Sequence, residues 1–186
     1  MKEEIEKAAK VLQNGGIILY PTDTIWGLGC DPGNVEAVKK IVTLKKRSNS
    51  KSFIVLVHSN PLLNRYVRHI PDICYDLMDM TERPLTIVYP EGQYVANDVL
   101  GPDGSIAVRM TKDPFCSGLM NKTRFGLLST SANLSGTEHP RNLEDVPDEI
   151  RQNVDYIVNL QLTNPAAKPS QIIKIGLNNE IQIIRH

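Results

Sequence analysis

The sequence predicts an α/β fold in which helices pack on a mixed parallel and antiparallel sheet. Short apolar runs typical of buried strands alternate with segments of helical periodicity through most of the chain. The last two apolar runs are joined by a short turn, which predicts an antiparallel hairpin. With 41% hydrophobic residues among 186 and no internal repeat, we expect one domain over residues 1–186 with a sizeable buried core.

In the first half of the chain, helical spacing of apolar residues predicts a helix over residues 3–14, which a Gly-Gly pair ends. Apolar segments at residues 16–21 and 53–57 predict buried strands. Between them a Pro-Gly turn leads into a helix, whose predicted inward face is formed by Val35, Val38, Ile41 and Val42. Two further helices, each with a proline near its first turn, are predicted over residues 60–70 and 71–82.

The second half continues the alternation. Its predicted elements are strands over residues 84–90, 105–110, 126–130 and 155–160, and helices near residues 114–121 and 147–153. Residues 171–185 predict the closing hairpin, because Asn178-Asn179 tolerates the positive φ that a two-residue hairpin turn requires. Residues 162–170 have the composition of a linker.

Local clustering of charge, and not net charge, must supply any affinity for phosphate or nucleic acid. Lys and Arg total 21 and Asp and Glu total 21, so the formal net charge is zero. Residues 37–71 nevertheless contain no acidic residue. The basic residues of this segment are Lys39, Lys40, Lys45, Lys46, Arg47, Lys51, Arg65 and Arg68. The segment is either a track for an RNA backbone or a solvated basic surface.

The composition favours a reducing compartment. Cys30, Cys74 and Cys116 are odd in number and far apart, which indicates neither a disulfide framework nor a CxxC metal site. The charged N-terminal segment lacks the apolar core of a signal peptide, and no stretch approaches the roughly 20 apolar residues of a membrane span. We therefore expect a cytoplasmic protein with no membrane partner.

Several common phosphate and catalytic motifs are absent from the sequence. Gly27, Gly29 and Gly33 follow a strand, but their spacing is not the dinucleotide-binding fingerprint. No P-loop, HExxH or GxSxG motif occurs. Any phosphate chemistry must therefore use side chains.

Two polar runs each have two interpretations. In "YPTDTIWGLG", Thr22, Asp23 and Thr24 follow a buried strand, where they form either a local turn or a ligand site. In "LLSTSANLSG", residues 127–136, the hydroxyl and amide side chains form either a turn or the wall of a pocket in which many hydrogen bonds converge.

Two groups of basic residues also need a structural or functional explanation. In "LKKRSNSK", Lys45, Arg47 and Lys51 either complement the negative end of a helix or bind a polyphosphate. Arg109 lies inside the apolar strand "SIAVRM", where a buried charge requires a carboxylate or phosphate partner.

Taken together, "YPTDTIWGLG", "KKR", "PLTIVYP", "SIAVRM" and "STSAN" occur in the order and spacing of a known family. The chain resembles the YrdC-type domain of the threonylcarbamoyl-AMP synthase family from about Gly15 to Ser170. The resemblance implies a short, single-domain form, with a twisted α/β sheet around a positively charged concave cavity. It departs from the family pattern at Glu82-Arg83, before "PLT", where Pro-Gly is usual.

The resemblance implies a nucleotidyltransferase that combines L-threonine, bicarbonate or CO₂, and ATP into threonylcarbamoyl-AMP and pyrophosphate. Mg²⁺ is expected with ATP, without dedicated protein ligands, and no organic cofactor is expected. A separate transferase complex then modifies tRNA. Because double-stranded RNA binding is attributed to the family, the alternative is a non-catalytic or differently active paralogue that binds double-stranded RNA or tRNA.

The resemblance also implies the site residues. The catalytic set is Lys45, Arg47, Ser131 and Asn133. The L-threonine contacts are Thr22, Arg109, Ser131 and Ser170. The ATP contacts are Arg47, Lys51, Ser105, Asn133 and Arg185. On this basis Lys45→Ala or Arg47→Ala is expected to abolish pyrophosphate release and leave the fold intact.

Overall fold

The computed structural model describes residues 1–22, 25–46, 53–81, 83–160, 170–176, 178 and 180–185. Its helices are α1 (Lys2–Gln13), α2 (Val35–Leu44), α3 (Asn60–Tyr66), α4 (Ile73–Met80), α5 (Pro114–Thr123) and α6 (Asp148–Arg151). Its strands are β1 (Ile18–Pro21), β2 (Trp26–Cys30), β3 (Ile54–Val57), β4 (Leu85–Tyr89), β5 (Ile106–Met110), β6 (Leu127–Ser131), β7 (Tyr156–Ile157), β8 (Gln171–Ile175) and β9 (Ile181–Arg185).

Within the described ranges the strands form one nine-stranded sheet, in the order β7-β1-β2-β6-β3-β5-β4-β8-β9. The pairs β1–β7, β3–β5 and β4–β8 are parallel, and the other neighbouring strands are antiparallel. The structure therefore confirms the predicted mixed sheet. Strand β6 lies between β2 and β3, which brings "STSAN" beside strands from the first third of the chain.

The two faces of the sheet are covered differently. Val55, Val57 and Val108 point into the larger apolar cluster, which includes buried residues of α2 and α3. Leu56 and Leu127 point to the opposite face, where a second cluster contains residues of α1 and α5. A cavity lies on this second face, because Leu56 and neighbouring residues of β5 and β6 line it.

The structure confirms most predicted helices and strands and adds strand β2, which the sequence analysis did not predict. Glycine is depleted in strands, and Gly27 and Gly29 weaken the local signal for one. The strand forms because it pairs with β1 on one side and β6 on the other. A tight turn starts it, in which the Thr22 amide donates to the Ile25 carbonyl at 3.1 Å.

Two other predictions are wrong in detail. Val35 was expected to face inward, but it is 45% exposed because it is the first residue of α2, directly after the Asn34 cap. The helix predicted over residues 60–70 ends at Tyr66, because Val67 becomes extended and pairs with Gly92.

The closing hairpin is confirmed as β8 and β9. Asn179 of its predicted turn lies outside the described residues, as do residues 162–169 of the predicted linker. No helix in the described part of the chain is long and apolar enough to cross a membrane.

Candidate active site

A cavity with a volume of about 810 Å³ gathers most of the site residues that the sequence predicts. Its lining comes from the β1–β2 hairpin, the end of α2, strands β3 to β6, the segment after β6, and strands β8 and β9 with the residue before β8. The predicted residues that line it are Thr22, Lys45, Arg109, Ser131, Asn133, Ser170 and Arg185. The fold therefore brings together side chains that are widely separated in the sequence.

Lys45 is the residue that joins the end of α2 to the segment after β6. It is buried, with 3% of its surface exposed. Its Nζ donates to the backbone carbonyl oxygens of Ser131 and Asn133, the second at 2.6 Å. In the opposite direction, the Ser135 amide donates to the Lys45 carbonyl at 3.2 Å. Lys45 therefore helps to build the cavity wall as well as adding a positive charge to it.

Asn133 organises the same wall. Its Oδ1 accepts a hydrogen bond from the Ser131 hydroxyl and lies 3.4 Å from Lys45 Nζ. Its Nδ2 donates to the Thr137 carbonyl at 2.6 Å. These contacts show that the polar run of residues 127–136 is both an ordered turn and a wall of the cavity, so its two interpretations hold together.

Two arginines add positive charge to the part of the cavity that is lined by strands β5 and β9. They are Arg109 and Arg185. Arg109 lies on β5 and lines the cavity, and it is only 5% exposed although its side chain is charged. Burial lowers the pKa of the Arg185 guanidinium from its ordinary value, and the positive charge of Arg109 lowers it further. Two like charges facing one cavity favour an anionic ligand.

Ser170 contacts both Arg185 of β9 and Thr86 of β4. The Arg185 guanidinium donates to the Ser170 carbonyl from Nε at 2.9 Å and from a terminal nitrogen at 2.7 Å. The Ser170 hydroxyl lies 2.8 Å from the Thr86 hydroxyl, and both residues are buried. Arg185 and Thr86 thus fix Ser170 at the cavity wall.

Thr22 makes local hydrogen bonds and also faces the cavity. Its hydroxyl donates to the Ile25 carbonyl at 2.7 Å and accepts the Ile25 amide at 3.0 Å, so it stabilises the turn. It is also 5% exposed and lines the cavity. Asp23 and Thr24, the other polar residues of the run, lie outside the described residues, as do Arg47 and Lys51.

Ser105 is the predicted residue that the structure places elsewhere. It precedes β5 and is not among the described residues that line the cavity. Its hydroxyl donates to Asp103 Oδ1 at 2.5 Å, while Lys174 Nζ lies 2.6 Å from Asp103 Oδ2. The Lys174 ammonium, followed by the Ser105 hydroxyl, holds the pKa of the Asp103 carboxyl well below its usual range.

This Asp103 network predicts a pH-dependent contribution to stability. The carboxyl pKa is lower in the folded state, so the contribution is present above the ordinary Asp pKa and is lost as the pH falls below it. Because Asp103 is half exposed, we expect Asp103→Asn to lower the free energy of unfolding at pH 7 by only about 0.5 to 1 kcal/mol. In urea unfolding, the difference in free energy of unfolding between the wild type and Asp103→Asn should begin to narrow below about pH 4. The exposed Asp98→Asn variant is the control. A gap that is undiminished at about pH 2 would contradict the assignment, because the contribution is lost progressively as the pH falls from the ordinary Asp pKa towards the lowered pKa of the folded state.

Most of the described basic side chains of residues 37–71, the segment without acidic residues, contact different groups. Lys46 pairs with Glu149 at 2.9 Å, Lys39 with Glu36 at 3.6 Å, and Arg68 with Glu91 at 3.9 Å. Arg65 donates to the Arg124 carbonyl at 3.0 Å, and Lys45 points into the cavity wall. Acidic residues from elsewhere in the fold therefore neutralise part of the segment.

The individual site assignments omit Ser129 and His139, which also line the cavity. Ser129 lies in "STSAN" two residues before Ser131, and strand alternation could have placed both on one face. His139 also lines the cavity, but it belongs to a loop whose position no local pattern indicates. No Asp or Glu belongs to the described lining, and no cluster of metal-binding side chains occurs within the described residues.

Two relatives named Threonylcarbamoyl-AMP synthase match most of this chain. The Threonylcarbamoyl-AMP synthase of Acinetobacter baumannii is 33% identical over 184 residues, which is 95% of this chain and 96% of that protein. The enzyme of the same name from Idiomarina loihiensis is 35% identical over 169 residues, covering 89% and 90% of the two chains.

Solved structures share the fold. A variant of Sua5 from P. abyssi aligns with a TM-score of 0.89 and 25% identity over 100% of this chain and 56% of that chain. P. abyssi Sua5 complexed with L-threonine aligns with a TM-score of 0.84 and 25% identity over 94% of this chain and 51% of that chain. This chain thus spans about half the length of those Sua5 chains. The Sua5/YciO/YrdC family model, described as telomere recombination, matches residues 10–186, and the chain therefore belongs to this family.

Proposed function

We propose that this protein is a nucleotidyltransferase that makes threonylcarbamoyl-AMP and pyrophosphate from L-threonine, bicarbonate or CO₂, and ATP. The observation that carries the proposal is the convergence of Thr22, Lys45, Arg109, Ser131 and Arg185 on one cavity. Relatives named for this activity match nearly the whole chain. The related Sua5 that was crystallised with L-threonine supports an amino-acid substrate.

The proposed reaction proceeds in two steps. The neutral amine of L-threonine attacks CO₂, which forms an N–C bond, and the amine loses a proton to give a carbamate. A carbamate oxygen then attacks the α-phosphorus of ATP, an O–P bond forms, and pyrophosphate leaves. Neither step requires a covalent protein nucleophile. The protein contributes orientation and stabilisation of negative charge as it develops.

The cavity contains the groups that such a reaction needs. We assign Arg109 to the substrate carboxylate, with Thr22 and Ser170 as further L-threonine contacts. We assign Arg185, Asn133 and the hydroxyl of Ser131 to the nucleotide and carbamate. On the family resemblance alone, Arg47, Lys51 and Ser105 are further ATP contacts, although Ser105 does not belong to the described lining of the cavity.

Mg²⁺ is proposed to enter with ATP as part of the substrate. The described lining offers cationic, hydroxyl and amide groups and no carboxylate. The described lining therefore supplies none of the carboxylates through which proteins commonly hold Mg²⁺, so the proposed metal would be held mainly by the triphosphate oxygens and water.

We further propose that the product passes to a separate tRNA threonylcarbamoyl transferase complex, since a mixed anhydride of carbamate and phosphate is an activated group donor. A cytoplasmic location accords with three buried cysteines that are far apart in the sequence, because disulfide frameworks are typical of oxidising compartments.

Pyrophosphate release from the purified protein with ATP, Mg²⁺ and bicarbonate, with and without L-threonine, tests this function. Release that depends on L-threonine, together with a product of the expected mass, would establish the reaction. Omission of bicarbonate after degassing is the matched control. A folded sample without release, but with tRNA binding that weakens steeply as salt rises, would instead indicate the RNA-binding paralogue.

A further inference from the structure

Tyr20 makes a hydrogen bond across an intervening strand. It lies on β1, and its hydroxyl donates to Ser129 Oγ on β6 at 2.8 Å. The strand order is β1-β2-β6, so the side chain crosses the whole width of β2. Two strand spacings amount to about 9.5 Å, which the long side chain of a tyrosine can span only if it lies flat across the sheet.

The glycines of β2 make this crossing possible. Gly29 is the register partner of Ser129, and a Cβ at Gly29 would lie 2.9 Å from Tyr20 Cε1. A Cβ at Gly27 would lie 3.2 Å from Thr22 Cγ2 and 3.6 Å from Ser129 Oγ. The first glycine therefore leaves room for the ring, and the second leaves room between two hydroxyl-bearing residues of the cavity. Gly27 and Gly29 are two of the three glycines whose spacing does not match the dinucleotide-binding fingerprint.

The tyrosine ring is held firmly in this position. Tyr20 is fully buried, and its ring centroid lies 6.2 Å from that of Phe115 in the cluster formed with α1 and α5. The Tyr20 hydroxyl thus contacts Ser129 from the buried side, while Ser129 itself lines the cavity.

The direction of this hydrogen bond determines what Ser129 can do. A serine hydroxyl carries one proton and two acceptor lone pairs. Because Tyr20 donates, one lone pair is occupied and the Ser129 proton remains to be donated elsewhere. Thr22, which is assigned to L-threonine, lies beside the same glycine.

We infer that Tyr20 is a positioning residue that holds Ser129 as a hydrogen-bond donor to an oxygen of the amino-acid substrate. The inference rests on the proposed function, since it concerns how that site distinguishes its amino acid. We expect this hydrogen bond to affect L-threonine binding more than ATP binding, because Ser129 and Thr22, which is assigned to L-threonine, both lie beside Gly27.

Tyr20→Phe removes the hydroxyl and keeps the ring. We expect the KM for L-threonine to rise about tenfold, the KM for ATP to stay within about twofold, and kcat to fall little, because one oriented hydrogen bond is lost from ground-state binding. Ser129→Ala should produce the same pattern. The double variant Tyr20→Phe/Ser129→Ala should match Ser129→Ala alone, because Tyr20 acts through Ser129.

Tyr66→Phe is the matched control. The Tyr66 hydroxyl is also buried in the sheet region, but it accepts the Gly126 amide at 2.8 Å and does not line the cavity. This variant should lose stability in urea unfolding and keep the KM for L-threonine.

The outcomes are distinguishable. Wild-type protein without L-threonine-dependent pyrophosphate release would overturn the proposed function itself. An active wild type in which Tyr20→Phe behaves like Tyr66→Phe, with stability changed and the KM for L-threonine unchanged, would overturn only the role of Tyr20. Additive losses in the double variant would do the same, because they would show that Tyr20 acts independently of Ser129.

Discussion

Replacing Lys45 with methionine is expected to abolish measurable L-threonine-dependent pyrophosphate release and to destabilise the fold as well. The Lys45 ammonium donates to the carbonyls of Ser131 and Asn133. Methionine leaves these partly or fully buried groups without that donor, which should lower the free energy of unfolding by about 2 to 4 kcal/mol. The sequence-based expectation that the fold would stay intact is therefore revised.

Urea unfolding and pyrophosphate release measured on the same preparation check this prediction. Lys40→Met is the matched control, because Lys40 lies on the same helix and is exposed. It should change stability by no more than about 0.5 kcal/mol. A Lys45→Met protein with wild-type stability would show that these carbonyls find other donors, and wild-type turnover would remove Lys45 from the catalytic set.

Arg109→Met is expected to reduce kcat/KM for L-threonine by about a hundredfold to a thousandfold, the cost of removing one fixed charge from a reacting site. Any loss of stability should be small beside the loss of activity. The physical reason is that Arg109 is buried in the cavity wall near Arg185, and its charge lowers the pKa of the Arg185 guanidinium. Methionine removes that repulsion and fills a similar volume.

Steady-state kinetics with varied L-threonine, together with thermal unfolding, test the Arg109 prediction. Arg83→Met removes an exposed arginine just before β4 and should leave both measurements near wild type. Loss of activity that comes with a large loss of stability would indicate that Arg109 mainly holds the sheet together. Unchanged KM and kcat would remove it from the L-threonine site.

Local pattern predicted most of the elements, and its failures have identifiable causes. The helix α1 and the hairpin of β8 and β9 were predictable because their periodicity and their terminating turns are contained within a few neighbouring residues. Strand β2 was not, because Gly27 and Gly29 oppose a strand locally and are overridden by pairing with β1 and β6.

The candidate site was predictable as a set of residue types and not as an arrangement. The motifs named Lys45, Ser131 and Arg109, and all three line one cavity. They also named Ser105, which the fold places with Asp103 and Lys174. Ser129 belongs to the polar run that the sequence offered as a pocket wall, but it received no individual role, since its contacts depend on which strand lies beside it.

By itself, the sequence determined most of the segments that become helices and strands, which side chains carry charge or hydroxyl groups, and which family the chain resembles. Tertiary structure alone decided that Lys45 bonds to a carbonyl 86 positions away and that Tyr20 reaches a serine 109 positions away. The physical reason is the distance along the chain over which each kind of interaction acts. Helical and strand preferences act between near neighbours, whereas these contacts exist only after the sheet has placed β6 between β2 and β3.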